Sequence, residues 1–330
     1  MKKIIGILKT RNEGDIIESF CRYNLTFCDA ILVYEGKRSF DSTREILEKI
    51  VDEGLPVYLL DDVGNTESKN ILAIKAIEEF GADLVVVLDT DEFLYHTDGI
   101  NPRKALEELK EDVEYQIPWR TYVYQGEPKN PDVFMPSNFT HYRNPLLDRL
   151  KKAVMSKYLL QKSQVRFSAG GHYLESTQEY RETKTVVNPS KLVYAHFPVR
   201  SKSQIMLKAI PNWINKWKPP FPARKGQGFQ VGLLYDEIKK SGDLSHEKIM
   251  QHSIEYSVRE AVLKDIWPKI KNNLIIEGSM DVSYCADKLI LRYTKPRKDA
   301  GKNLMRAVLK EVDTTIEALV NIIDESGIEI

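Results

Sequence analysis

The apolar positions of the first hundred residues fall into two alternating textures. Short continuous apolar runs of strand length, at 4–8, 30–34, 57–60 and 84–88, are separated by segments in which apolar residues recur every three or four positions. Continuous runs read as strands buried on both faces, and the recurring stripes read as helices with one face on a core. The first stripe is Ile16, Ile17, Phe20 and Cys21. The second is Ile46, Leu47, Ile50 and Val51, ended by Gly54-Leu55-Pro56, and the third is Ile71, Ile74, Ile77 and Phe80, stopped at Gly81. Strand and helix in strict alternation predict a mostly parallel sheet covered by helices. The most apolar run, 84–88, ends abruptly in Asp89-Thr90-Asp91-Glu92.

Beyond Asn101-Pro102 the pattern predicts a short helix, an aromatic and β-branched strand at 115–124, and a long turn-rich stretch at 125–145. A loop of that length without periodicity is usually functional or mobile. Residues 191–197 read as one more strand. After Arg200 the period becomes helical, with a Pro-rich interruption at 218–222, helices near 246–266 and 303–323, and a hairpin near 283–293. These textures divide the chain into an α/β domain at 1–210, with halves at 1–100 and 101–210, and a mainly helical region at 211–330. No internal repeat or low-complexity tract interrupts it.

Composition narrows the chemistry. In 330 residues, 48 Lys and Arg balance 48 Asp and Glu, which disfavours a nucleic-acid binder that works by neutralising phosphates and favours a small-molecule partner. Cys21, Cys28 and Cys285 form no Cys-x-x-Cys pair, and bridging two would leave an odd thiol, so a reducing compartment is the simpler reading. The N-terminal apolar run at 4–8 is too short for a signal-peptide core or a membrane span, which leads us to expect a cytoplasmic protein. Peripheral contact with a membrane, through basic and aromatic residues, stays compatible with that expectation.

In an open parallel sheet ligands bind at the carboxyl ends of the strands, and that is where Asp89 and Asp91 fall. Two carboxylates so close repel each other unless a cation favours both ionised forms. A hard divalent ion, Mn²⁺ or Mg²⁺, suits them, because it takes a few carboxylate oxygens and fills its remaining positions with phosphate and water. An isolated Asp-x-Asp is common in surface loops; the strand-end position is what makes this one a metal-site candidate.

With those residues in place, the chain resembles family-2-type glycosyltransferases of the GT-A fold over about residues 2–210. The segments that carry the resemblance are KTRNEGDIIE from Lys9, ILVYEGKRSFDSTREIL from Ile31, and LVVVLDTDEFL around the acidic pair, the most specific of the three. Later segments, YQIPWRTYVYQG, LLQKSQVRFSAGGHYL and VYAHFPVRSKSQIMLK, extend it. The resemblance implies a Rossmann-like nucleotide-diphospho-sugar transferase fold, a mixed and mostly parallel sheet flanked by helices, with the helical C-terminal region as an extension. It implies a donor pocket shaped by Thr10, Asn12, Glu13, Glu35 (where the family usually has Asp), one of Asp61 and Asp62, Asp89 and Arg200. It further implies a metal held by Asp89, Asp91 and His196, a nucleotide-sugar donor of UDP type, inversion at the anomeric carbon, and a glycan, lipid-linked or small-molecule acceptor.

Inversion needs a base within hydrogen-bond reach of the acceptor hydroxyl. Asp148 and His172 are the leading candidates, with Glu127 and Asp132 behind them. The glycines before His172 would let backbone approach a ligand closely. Trp119, Tyr122 and Tyr124 could face a sugar ring, although ordinary sheet core is the stronger reading of them. Lys202 and Lys208 could pair with diphosphate oxygens, and Trp213, Trp217 and Trp267 read as core or interface. The alternatives are a haloacid-dehalogenase-like phosphohydrolase, whose Asp-x-Asp normally continues with Gly-Thr rather than Glu92-Phe93, and a non-catalytic nucleotide-sugar-binding protein. Nucleotidyltransferases usually carry a Gly-rich first turn, and here that turn has only Gly14.

Overall fold

The structure, a computed structural model, describes residues 1–35, 39, 41–61, 67–130, 133–175, 185–189, 191–216, 229–258, 260–294, 309 and 312. The chain divides into two compact units, Met1–Pro198 with Val258–Pro296, and Val199–Ser257 with Arg297–Ile330. The first unit therefore takes in a segment that the sequence pattern groups with the helical region.

The predicted alternation opens the first unit: β1 (Ile4–Thr10), α1 (Ile17–Asn24), β2 (Ala30–Glu35), α2 (Thr43–Asp52), β3 (Val57–Asp61), α3 (Ser68–Glu78) and β4 (Leu84–Leu88). β5 (Glu92–His96), α4 (Arg103–Glu107), β6 (Glu114–Thr121), β7 (His141–Arg143), β8 (Lys151–Ser156) and α5 (Lys157–Ser163) follow. Next come the short strands β9 (Arg166–Phe167), β10 (Leu174–Glu175) and β11 (Val186–Val187), and then β12 (Leu192–His196). Among the described residues the main sheet runs β3-β2-β1-β4-β8-β6-β12-β5, with β11 also paired to β6. β1 to β4 are mutually parallel where they pair, whereas β8 is antiparallel to both β4 and β6, and β12 is antiparallel to β5. This mixed, mostly parallel sheet flanked by helices is the fold class expected from the sequence.

β4 is apolar throughout, and β1 and β2 nearly so, because each contributes to a core on both faces. Ile4, Leu8, Ile31, Val33, Val86 and Leu88 meet α1 and α2 residues such as Phe20, Ile46 and Ile50. Their neighbours Ile5, Ile7, Leu32, Val85 and Val87 meet Leu72, Ala73, Ala76 and Ile77 of α3. The period-2 alternation of a strand thus sorts one sequence run into two layers.

The C-terminal segment of the first unit adds α9 (Glu260–Ile270) and β13 (Ile275–Glu277), which pairs antiparallel with β7. The hairpin expected near 283–293 is not formed. Ser283–Lys288 instead winds into 3₁₀ turns, started by the Asp281 carboxylate accepting from the Ser283 N–H at 2.9 Å, a local bond that competes with strand pairing. The second unit carries α6 (Lys202–Lys216), α7 (Phe229–Ser241) and α8 (His246–Glu255). The helix expected at 246–266 is therefore two helices, α8 and α9, separated where Ser257 takes a left-handed φ of 58°. The helix expected at 303–323 and the Pro-rich interruption at 218–222 lie outside the described residues, apart from 309 and 312. Among the described residues no helix is long and apolar enough to cross a membrane.

Candidate active site

Strand register collects the candidate residues on one edge of the sheet. Thr10 pairs with Glu35 and Glu35 with Asp61, so the last residues of β1, β2 and β3 stand side by side at the carboxyl edge. Asp89 follows the last residue of β4, Leu88, which pairs with Leu8 of β1. In the turn that follows, the Thr90 hydroxyl donates to the Thr10 hydroxyl at 2.8 Å, joining the ends of β4 and β1. Asn12 takes a left-handed φ of 57°, and its N–H donates to the Ser39 hydroxyl at 3.2 Å. The Glu13 N–H donates to Thr43 Oγ1 at 2.8 Å and the Gly14 N–H to Asp41 at 2.9 Å, so the first turn is pinned to the start of α2. Glu35 is fully buried; burial raises its carboxyl above the ordinary range, against the Ser39 hydroxyl that donates to it and the Arg44 guanidinium 3.8 Å away. Asp62 and Asp132 lie outside the described residues.

The acidic cluster is built by pairing across two strands. In the antiparallel pair of β5 and β12, Glu92 stands opposite His196, and the Phe197 N–H donates to the Asp91 carbonyl at 2.7 Å. Asp91, Glu92 and His196, all buried, thereby present ligand atoms within 4.8 Å of one another, with His196 Nε2 4.0 Å from Asp91 Oδ2. Two carboxylates and an imidazole form a donor set that can hold a divalent cation. Glu92 Oε2 is buried without a hydrogen-bond partner, an arrangement that costs free energy unless a ligand meets it. Burial pushes the Glu92 carboxyl well above its usual range; Lys152 opposes this, while Asp89 and Asp91 add to it. A cation would reverse that balance.

Asp89 is placed differently from its partner in the motif. Lys69 Nζ lies 2.8 Å from Oδ1 and Lys152 Nζ bonds Oδ2. Burial disfavours the Asp89 charge, but the two ammonium groups outweigh it and hold the carboxyl far below the usual range. Lys152 is fully buried and also lies 3.2 Å from Glu92 Oε1. Burial alone would lower its pKa; Asp89 and Glu92 raise it instead, so it stays charged. Both lysines donate to the Gly170 carbonyl, at 3.3 and 2.9 Å. Neighbouring Gly171, at φ 74°, leaves no room for a Cβ, which would fall 2.7 Å from Val87 Cγ1.

His172 is half-buried, and its Nδ1 lies 2.8 Å from the Lys151 carbonyl, to which only an N–H can donate. Nε2 is then the acceptor nitrogen of the neutral ring. Burial lowers the His172 pKa, partly offset by that carbonyl bond. Trp119 stands between the two histidines, its ring tilted by 32° against that of His196 at 4.0 Å and edge-on to His172 at 5.9 Å. Tyr122 is buried against Phe197 and belongs to the core, and the Tyr124 hydroxyl donates to Glu127 at 2.9 Å. Asp148 is 1% exposed at its side chain, paired with Arg143 at 2.7 Å, and both its oxygens accept from Thr121. Arg200, Lys202 and Lys208 belong to the second unit, where Lys202 pairs with Asp243 at 2.6 Å and Lys208 lies over the Tyr256 ring. Trp267 is partly buried on α9, the side chain of Trp213 is not described, and Trp217 lies outside the described residues.

Five residues of this site are not among the candidates read from the sequence: Lys69, Glu92, Thr121, Arg143 and Lys152. Two of them carry a signal: Glu92 adjoins the Asp-x-Asp pair, and Lys152 is a charge directly before the apolar run Ala153-Val154-Met155.

No family model matches the chain, and no curated protein matches it. Among solved structures it is similar to a mannosyltransferase from Pyrobaculum calidifontis in complex with GDP-Man and Mn²⁺, at 12% identity and a TM-score of 0.40 over 90% of this chain and 88% of that one. It is similar to S. aureus TarS in complex with UDP, at 16% identity and a TM-score of 0.38 over 87% and 88%. A third likeness is to glucosyl-3-phosphoglycerate synthase from Mycobacterium tuberculosis, in complex with Mn²⁺, UDP and glucosyl-3-phosphoglycerate, at 16% identity and a TM-score of 0.33 over 74% and 82%. Likenesses this loose transfer no residue roles.

Proposed function

We propose that this chain is a metal-dependent glycosyltransferase that moves a sugar from a nucleoside-diphosphate donor, of UDP type, to an acceptor hydroxyl with inversion. The observation that carries the reading is the convergence of Asp91, Glu92 and His196 within 4.8 Å at the carboxyl edge of the sheet, the edge that also carries Thr10, Glu35 and Asp61.

Asp91, Glu92 and His196 would hold the cation, which when bound offsets charge on the departing diphosphate. The orphaned Glu92 oxygen and the nitrogen-plus-carboxylate donor set fit Mn²⁺ or Mg²⁺. Thr10, Asn12, Glu13, Glu35 and one of the acids where β3 ends, Asp61 or Asp62, would line the nucleoside side of the pocket. Asp89, kept ionised by Lys69 and Lys152, would face the donor from the same turn, while the two ammonium groups set positive charge beside it. His172 is better suited than Asp148 to take the acceptor proton. Its Nε2 carries the free lone pair of a neutral ring, whereas Asp148 is enclosed by Arg143 and Thr121. The acceptor is a glycan, a lipid-linked sugar or a small molecule carrying a hydroxyl.

Titration calorimetry of UDP with and without Mn²⁺ tests this. UDP should bind only when Mn²⁺ is present, and Asp91→Ala should abolish that binding while leaving the fold intact. UDP affinity indifferent to Mn²⁺ and to Asp91→Ala would refute the metal site. Phosphomonoester hydrolysis with a phosphoryl group trapped on Asp89 would favour the phosphohydrolase.

A further inference from the structure

We propose that Asp148 is a positioning residue, acting through Thr121 to hold His196 in the tautomer that carries its proton on Nδ1 and offers Nε2 to the acidic cluster. The proposal rests on the metal reading above and deepens it. Thr121 has a single hydroxyl proton and donates it to Asp148 Oδ1 at 2.6 Å. That acceptor is fixed in turn: Arg143 Nε and Nη2 donate to the same oxygen at 3.0 and 2.7 Å, and the Thr121 N–H donates to the other at 3.0 Å.

Towards His196 Nδ1, 3.2 Å away, the Thr121 oxygen therefore presents a lone pair. Only an N–H can face it favourably. A neutral imidazole has one N–H, so Nε2 carries the lone pair, on the side where Asp91 Oδ2 lies at 4.0 Å. The opposite tautomer would set two lone pairs against each other at Thr121, in a place shut off from water: Arg143, Thr121 and His196 are each at most 2% exposed, and the Asp148 side chain is 1% exposed.

Backbone and packing fix the ring as well as the proton. Thr121 and His196 are register partners in the parallel pair of β6 and β12, and the Tyr122 N–H donates to the His196 carbonyl at 2.8 Å. Trp119, two residues before Thr121, packs its ring against the imidazole at 4.0 Å. The arrangement also accounts for a buried Arg143–Asp148 pair, since such a pair adds little stability by itself and is better understood as a device that fixes one geometry. Metal-bound histidines are commonly held in this way through their other ring nitrogen.

The test uses the full chain, with Mn²⁺ alone as the probe. Long-range ¹⁵N–¹H spectra of the metal-free wild type should place the His196 proton on Nδ1. Thr121→Val, which keeps the shape and removes the hydroxyl, should weaken Mn²⁺ binding about 10- to 100-fold and lose the single tautomer, and Thr121→Ser should restore both. A folded Thr121→Val protein that binds Mn²⁺ like the wild type, or a wild-type proton on Nε2, would overturn the proposal. Wild-type protein that binds no Mn²⁺ at all would instead bring down the metal site. The spectra alone then decide: an Nδ1 proton that depends on Thr121 supports the positioning role, and one indifferent to Thr121→Val overturns it.

Discussion

Lys152 offers the sharpest test of the electrostatics. Its ammonium group is fully buried, bonded to Asp89 and 3.2 Å from Glu92 Oε1, so replacing it with methionine keeps most of the volume, takes the paired cation from Glu92 and leaves Asp89 with Lys69 alone. At 3.2 Å and an effective dielectric of roughly 20, one such attraction is about 5 kcal/mol before desolvation. Breaking a buried pair by deleting one partner typically costs about 3–5 kcal/mol, and we expect Lys152→Met to lose that much stability when urea unfolding is followed in chelator. Mn²⁺ should repair part of the loss. A cation next to Asp91 and Glu92 competes with the lysine for the same negative charge, so removing the lysine should tighten Mn²⁺ binding. Each tenfold gain in affinity returns about 1.4 kcal/mol at saturating metal. The same unfolding experiment at saturating Mn²⁺ should therefore show a smaller penalty for the variant than in chelator. Equal penalties in the two conditions, with an unchanged Mn²⁺ affinity, would mean that Lys152 and the cation do not share those acids.

Three further outcomes can be checked independently. Gly171→Ala places a Cβ 2.7 Å from Val87 Cγ1 at a φ of 74°, and should cost about 1–3 kcal/mol in urea unfolding; a neutral result would show that the turn can move. Glu18→Gln weakens a carboxylate that accepts the N–H groups of Arg292, Tyr293 and Thr294, and should lose about 1.5–3 kcal/mol and speed hydrogen exchange at 292–294. Burial opposes the Glu18 charge, but these donors and Arg22 lower its pKa overall; the clasp should hold at neutral pH and weaken as pH falls below the carboxylate range, and 292–294 exchange that is flat with pH would contradict it. His252, in the second unit, is lowered from 6.5 to about 4 by burial and by Lys208. Its contribution is therefore complete above pH 6.5 and lost as pH falls from 6.5 to about 4. At about 1.4 kcal/mol per pH unit, discounted for partial exposure, the loss is on the order of 2 kcal/mol. His252→Gln should flatten that part of the stability profile, and a variant with the wild-type pH dependence would exclude His252 as its source.

The parallel half of the fold was legible because each of its strands carries its own evidence. A run such as 84–88 is apolar at every position since both of its faces are covered, and the stripes of α1 to α3 need no knowledge of their partners. β5 and β8 were not legible for the opposite reason. Glu92 and Lys152 are charged residues in buried strands, and a charge inside a strand breaks the apolar pattern that would announce it. The two residues explain each other only as a pair, 3.2 Å apart and far apart in the chain. Thr121 and Arg143 look like ordinary strand residues until register places one beside His196 and the other against Asp148.

The acidic motif supplies one member of the Asp91, Glu92 and His196 cluster, and its other aspartate pairs with lysines. Spacing in sequence singled out Asp89 and Asp91, two residues apart at a strand end, and in the structure they part company. Asp89 turns to Lys69 and Lys152, and Asp91 turns to His196. The residue that joins Asp91 is Glu92, and it does so because β5 runs antiparallel to β12 and sets Glu92 opposite His196. A one-residue shift of that pairing would turn the Glu92 side chain to the other face and dismantle the cluster with every residue type intact. The chemistry of the candidate site is thus fixed by the register of β12 between β5 and β6, which sets Glu92 on one side of His196 and Thr121 on the other.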